Sequence, residues 1–217
     1  MPTKIILDPG SCHMGKLDYA KELIRLAVDV GADAVKFQLF KNLPPNIELP
    51  YEWMPELIEY GGNYSGNKIE VFASVFNQEA YDFVKMIRIK SIKFAYRKHQ
   101  TADNIITACH DFDTVYCSGD WNTEIYYETK KLFCIPQYPV PFIIDFENVF
   151  PKFDGFSDHT IGYKQTLEAI RQGATIIEKH FTLGNSHYIN CPDHSFALKP
   201  WDLEKMIKAI RYMESGL

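Results

Sequence analysis

A chain of 217 residues that is 46% hydrophobic and 24% charged can bury one large core without staples, which excludes a disordered or disulfide-built protein. Its net charge of −5 gives no electrostatic footprint for nucleic acid. No apolar run reaches the roughly 18 residues that a membrane helix needs, so no membrane partner is expected.

Lys4-Ile5-Ile6-Leu7-Asp8 reads as a strand. Ala20, Leu23, Ile24, Ala27 and Val30 then fall at helical spacing, predicting a helix over 18–30 that Gly31 stops. Residues 34–38 form the next strand. From Phe40 to Gly66 the pattern breaks. Pro44, Pro45, Pro50 and Pro55, with Gly61, Gly62 and Gly66, predict a long loop or insertion over about 40–66 with one short helix at 55–60. A loop that long inside a compact domain is often functional.

Alternation then resumes. Strands are predicted at 70–75, 91–94, 114–117, 132–135, 155–157 and 175–179. Helices are predicted at 78–87, 101–109, 123–130, 163–172 and 201–213, with a single helical turn at 144–149. Such alternation implies parallel strands joined by right-handed crossovers. Eight units close into a barrel, so the expected fold is α/β, a single (β/α)8 TIM barrel over residues 1–217. The alternative is an open doubly wound sheet. The lack of a G-x-G-x-x-G after the first strand counts against it.

In a barrel, chemistry gathers where strands end. Here the strands end in Asp8, with His13 following; in Lys36 and Gln38; near Ser74; at Lys93; at Cys117-Ser118-Gly119; before Gln137 and Tyr138; at Ser157-Asp158-His159; and at Glu178-Lys179-His180. Ionisable residues collecting at one end of apolar strands is not what a scattered surface gives. His159 and His180 end consecutive strands, and neutral imidazoles suit Mn, Fe, Co or Zn. Glu178 and Asp158 flank them and are candidates to orient the rings. The bland alternative is two separate core or surface histidines. Lys36 and Lys93 suit a phosphate or carboxylate. Ser157, Ser118 and the Gly119 backbone would add donors.

The cysteines, Cys12, Cys109, Cys117, Cys134 and Cys191, are odd in number and form no C-x-x-C pair. The first residues carry no basic segment leading into a long apolar run. Both point to reduced thiols in a cytoplasmic protein.

Several segments resemble the sialic acid synthase (N-acetylneuraminate synthase) family. They are Gly155-Phe156-Ser157-Asp158-His159-Thr160, Ile177-Glu178-Lys179-His180-Phe181-Thr182, Pro192-Asp193-His194, the second strand around Lys36-Phe37-Gln38, and the turn Tyr138-Pro139 with Pro141. The resemblance runs from about Asp8 to Arg211. It implies condensation of phosphoenolpyruvate with an N-acyl hexosamine such as N-acetylmannosamine, or a related aldose, giving a sialic or nonulosonic acid. It implies a divalent metal on His159 and His180, typically Mn2+, with Mg2+ or Co2+ as alternatives. By the same resemblance Lys36, Lys93 and Ser157 hold phosphoenolpyruvate, Asp193 binds sugar hydroxyls and Tyr138 lines the sugar site. Asp8 takes a catalytic position, and Gln38, Ser74, Ser118, Asp158 and Glu178 take substrate-binding ones.

The chain also departs from that pattern. The family's first-strand Glu is Asp8, and an Asn beside it is Cys12. A phosphate-binding serine is Tyr96, a carboxylate near the sugar is Lys98, and an apolar position is Asp120. Arg97 and Lys98 are candidate replacement phosphate contacts, since guanidinium forks suit phosphate. The family's antifreeze-like C-terminal domain has no counterpart in these 217 residues. The expected partners are therefore a second copy, as a homodimer, or a separate subunit carrying that domain. Two other readings stay open: a metal-dependent barrel aldolase or lyase with a different substrate, and a non-catalytic barrel that binds a sugar or a partner.

Overall fold

The computed structural model describes residues 2–66, 68–96, 101–123, 128–150, 152–184 and 190–216. Eight short strands form: β1 (Lys4–Asp8), β2 (Ala34–Leu39), β3 (Glu70–Val75), β4 (Ser91–Phe94), β5 (Thr114–Gly119), β6 (Lys130–Cys134), β7 (Gly155–Asp158) and β8 (Ile176–His180). Each pairs in parallel with the next, and β8 returns to β1, so the sheet closes in sequence order. The chain is the expected single (β/α)8 barrel. β7 and β8 are buried along their whole length. That is the signature of strands covered on both faces.

Among the described residues six helices pack outside: α1 (Leu17–Asp29), α2 (Met54–Asn63), α3 (Gln78–Met86), α4 (Ala102–Asp111), α5 (Lys164–Arg171) and α6 (Pro200–Glu214). α1 buries Ala20, Leu23, Ile24 and Ala27, four of the five residues whose spacing predicted it; Val30, the fifth, is its half-buried C-cap. Asn77 caps α3 by accepting from the Ala80 N–H at 2.8 Å, and Thr101 caps α4 in the same way. α6 buries Leu203, Met206, Ile207 and Ile210. Its Arg211 reaches the Thr3 carbonyl at 2.9 Å and Asp33 at 3.0 Å, tying the last helix to the strand that closes the barrel.

Three elements differ from expectation. The helix at 55–60 runs over Met54–Asn63, because Pro55 sits harmlessly in its first turn; the true loop is 40–50. The helix predicted over 123–130 is absent at its described residues. Asp120 folds the chain into a turn, accepting from the Asn122 N–H and the Thr123 hydroxyl, and Lys130 already belongs to β6. Residues 124–127 of that helix lie outside the described ones. The single turn expected at 144–149 forms slightly later, at 147–150, with the Val149 N–H donating to the Phe146 carbonyl at 3.1 Å. There Phe146 and Val149 pack with Phe133, Phe153 and Phe156, so loop aromatics cover β6 and β7 where a helix would.

The end of the barrel opposite the strand termini is closed. Lys4 pairs with Glu70 at 2.7 Å, and Phe72 stacks on Tyr116 at 5.4 Å. Phe72 stands in register with Lys36, and Tyr116 with Lys93, so both rings fill the interior beneath those lysines.

Close approach fixes one glycine. A Cβ on Gly155 would lie 2.1 Å from the Ile176 carbonyl oxygen across β7 and β8. Gly155→Ala should therefore cost about 2–3 kcal/mol in urea unfolding through strand displacement. An unchanged midpoint would contradict this packing.

Candidate active site at the strand termini

Side chains alternate along a strand, so residues two apart share a face. On β8, Glu178 and His180 face inward and Lys179 outward. Register carries the inward face around the barrel: Gln38 lies beside Ser74, Ser74 beside Lys93, Ser157 beside Glu178, and Asp8 beside His180. These termini open into a cavity of about 490 Å³. Asp8, Lys36, Gln38, Lys93, Ser118, Ser157, Glu178, His159 and His180 all line it, with Tyr138 and Asp193 at its wall. Ser74 sits just below, fully buried, where its hydroxyl receives the Lys36 ammonium at 3.3 Å.

Two ion pairs organise the floor. Lys36 Nζ lies 2.6 Å from Asp8 Oδ2, with both side chains 2% exposed. Gln38 donates to the same oxygen at 3.0 Å. Burial alone would raise the Asp8 carboxyl, but the charges of Lys36 and His180 outweigh it and hold the group well below the usual carboxylate range. Burial would likewise lower Lys36; Asp8 and Glu178 reverse that and keep it a cation. In the second pair Glu178 Oε1 accepts from Lys93 and, at 2.8 Å, from the Ser157 hydroxyl. Burial favours the neutral Glu178 acid, yet Lys36 and Lys93 hold it ionised. Its Oε2 is buried without a hydrogen-bond partner.

The histidines sit above these pairs, ring centroids 5.6 Å apart. His159 Nδ1 lies 2.9 Å from the Ile135 carbonyl, an oxygen that can only accept, so Nδ1 carries the proton and Nε2 keeps its lone pair. Burial, with the neighbouring His180, pushes His159 down to about 3, so its ring is neutral. His180 Nδ1 is buried with no hydrogen-bond partner; Asp193 Oδ1 stands 3.8 Å away, and Asp8 Oδ2 is 3.7 Å from Nε2. The Tyr138 ring covers His159 at 4.1 Å, and Phe196 meets His180 edge-on at 5.1 Å.

Asp158 stands elsewhere, contrary to its expected place against substrate. It faces outward, in register with Lys179. One oxygen accepts from the Thr160 N–H and hydroxyl, the other from the Thr166 hydroxyl at 2.6 Å, and Lys179 lies 3.1 Å away. Lys179 also donates to the Thr160 carbonyl at 2.6 Å. This fully buried knot fixes the backbone on either side of His159. Burial outweighs Asp158 and lowers Lys179 below the usual lysine range. Arg97 and Lys98 lie outside the described residues. Tyr96 lines the cavity and donates to Asp120 at 2.6 Å.

Sequence reasoning missed Leu43, Asn46, Cys134 and Phe196 in the lining. Leu43 and Asn46 arrive on the 40–50 loop, where no periodicity announces position. Cys134 had a signal: it ends β6 in register with Ser157.

No group of three or more His, Cys, Asp or Glu is preassembled for a metal among the described residues. The two imidazoles still suit one. His159 Nε2 keeps its lone pair 3.4 Å from the Ser157 hydroxyl, His180 Nδ1 has no hydrogen-bond partner, and the carboxylates of Asp8, Glu178 and Asp193 line the same cavity as Lys36 and Lys93. A divalent ion on two nitrogens would leave its other positions to water or substrate oxygen.

The NeuB family model matches residues 129–217. The spore coat polysaccharide biosynthesis protein SpsE of Bacillus subtilis is 28% identical, with all of this chain and 69% of that protein covered. The N,N'-diacetyllegionaminic acid synthase of Legionella pneumophila is 27% identical, covering 98% of this chain and 72% of that one. This chain is similar to synthases of sialic-type acids. The N-acetylneuraminic acid synthetase of Leptospira borgpetersenii superposes with a TM-score of 0.77 over 99% of this chain and 85% of that one, at 23% identity, which speaks for the shared barrel. No helix among the described residues is long and apolar enough to cross a membrane.

Two predictions concern the groups around this mouth. Lys179→Met strands a buried carboxylate at Asp158 and should cost about 3–5 kcal/mol in urea unfolding, while Asp158→Leu/Lys179→Met together should cost less than that single change. A loss under about 1 kcal/mol for Lys179→Met would contradict a buried pair.

The second concerns acid. His13, 1% exposed, accepts from the Gly15 N–H at 3.1 Å, and burial lowers it to about 4. Its folded value lies below its unfolded one, so its contribution is complete above about pH 6.5 and drains away as pH falls toward 4, by on the order of 3 kcal/mol. Stability of His13→Gln, followed by urea unfolding across that window, should fall less steeply than that of the unsubstituted chain. Parallel slopes would place the titrating group elsewhere.

Proposed function

We propose that this chain joins phosphoenolpyruvate to the aldehyde carbon of an N-acyl hexosamine or related aldose, giving a sialic or nonulosonic acid and phosphate. The observation that carries the reading is the convergence of Lys36, Lys93, His159 and His180 in one mouth, in a chain related to synthases of such acids. In this chemistry C3 of the enol attacks the sugar carbonyl carbon. Water adds at C2, and phosphate leaves with cleavage of its C–O bond.

The residues divide that work. Lys36 and Lys93 place fixed positive charge where the carboxylate and phosphate lie, and Ser118 and Ser157 add hydroxyl donors. Their own carboxylate partners hold both ammonium groups in place before substrate arrives. Asp193, fixed by the Ser11 N–H at 2.7 Å, takes sugar hydroxyls, and Tyr138 forms the outer wall. A divalent cation on His159 and His180, manganese or else magnesium or cobalt, would supply Lewis-acid polarisation of the carbonyl. The inward charge balance supports a cation requirement, because three carboxylates beside two lysines make a poor anion site alone. Phe142 and Ile143, 51% and 85% exposed beyond Tyr138, are suited to cover by a second copy or a separate domain.

One observation favours a second reading, a metal-dependent aldolase or lyase: the Tyr96 hydroxyl is given to Asp120 where the related family places a phosphate-binding serine.

The experiment is phosphate release from phosphoenolpyruvate with Mn2+ and a panel of aldoses. Sugar-dependent release, falling at least about 100-fold in His159→Ala and in His180→Ala, is expected. Mn2+ binding without release for any sugar would set the synthase reading aside in favour of the second.

A further inference from the structure

Cys12 and Cys191 are 179 positions apart, yet their sulfurs meet at 3.0 Å. Cys12 lies on the turn that follows β1. Cys191 immediately precedes the short Pro192–Ser195 turn that carries Asp193. Both are buried, at 0% and 4% exposure. The Ser11 N–H to Asp193 hydrogen bond joins the same two turns, and Cys191 Sγ lies 3.9 Å from that carboxylate. The sulfur contact and the hydrogen bond are thus parallel stitches across one seam at the mouth. Sequence alone read five unpaired thiols; the fold brings these two together.

We propose that Cys12 and Cys191 are a redox modification site, closed to a disulfide by a peroxide, which locks the Asp193 turn onto the β1 turn. One thiol sulfur attacks a peroxide oxygen, the O–O bond breaks, and water leaves a sulfenic acid. The second sulfur then attacks the first: the S–S bond forms, the S–O bond breaks, and a second water leaves. Each sulfur gives up one electron, the two thiol protons end in the two waters, and the peroxide is fully reduced. Closing the contact to a bond of about 2.05 Å takes roughly an ångström of movement, within the reach of two adjoining turns. The contact with Cys191, then burial, push the Cys12 thiol far above the ordinary thiol range. The pair is therefore slow to react while the turns are seated.

The test uses the full native chain and hydrogen peroxide. Free thiols are counted after denaturation, intact mass is measured, and linked peptides are mapped. The expected result is loss of two of the five thiols, with a mass decrease of about 2 Da and a peptide joining residues 12 and 191. The melting temperature should rise and return on reduction. Cys12→Ser and Cys191→Ser should each abolish the link. Native protein in which the half-exposed Cys109 gains oxygen while Cys12 and Cys191 stay free would overturn the proposal. So would a link that persists in Cys12→Ser. Thiol counts do not depend on phosphate release, so this proposal and the synthase reading stand or fall separately.

Discussion

The site depends on one constraint: a parallel strand turns alternate side chains to opposite faces, and closing the barrel makes one face the interior. Once β8 pairs with β1 in the register Asp8 to His180, no inward residue is free to choose its neighbours. Gln38, Ser74 and Lys93 must stand side by side, and so must Ser157 and Glu178. Phe72 and Tyr116 plug the interior below, so the charged termini above have only the mouth to face.

Burying that much charge demands internal pairing. Asp8 is paired with Lys36 and Glu178 with Lys93, and the lysine charges hold both carboxyls ionised where burial alone would favour the neutral acids. The cost of such pairs in stability is set against preorganisation: the ammonium groups are already aimed before any anion enters. His159 follows the opposite rule. It is kept neutral by burial and aligned by the Ile135 carbonyl, and the knot of Asp158, Thr166 and Lys179 behind it anchors the turn it sits on. Inner and outer faces of the same two strand ends thus hold different devices, one chemical and one structural.

Most of this was legible in the sequence because short apolar runs ending in polar residues are a direct imprint of strands entering a mouth. The error over Asp158 was also avoidable in principle. Ser157 and His159 share a face, so the residue between them cannot, and the same period sends Lys179 outward between Glu178 and His180. What was hidden lies in the loops. The helix expected after β5 gives way to an Asp120 turn, and the β6–β7 connection is held by Phe146 packing on Phe156, contacts that carry no periodic signal. Leu43 and Asn46 reach the cavity for the same reason unseen. The Cys12–Cys191 contact joins the two ends of the chain, which only closure of the barrel brings together.

The most direct measurement is a calorimetric titration of phosphoenolpyruvate in the presence of Mn2+. Saturable one-to-one binding is expected for the unsubstituted chain and for Lys208→Met, which removes an exposed lysine of α6. It should be lost in Lys36→Met and in Lys93→Met. Undiminished binding in either inward variant would contradict a mouth built around those two charges.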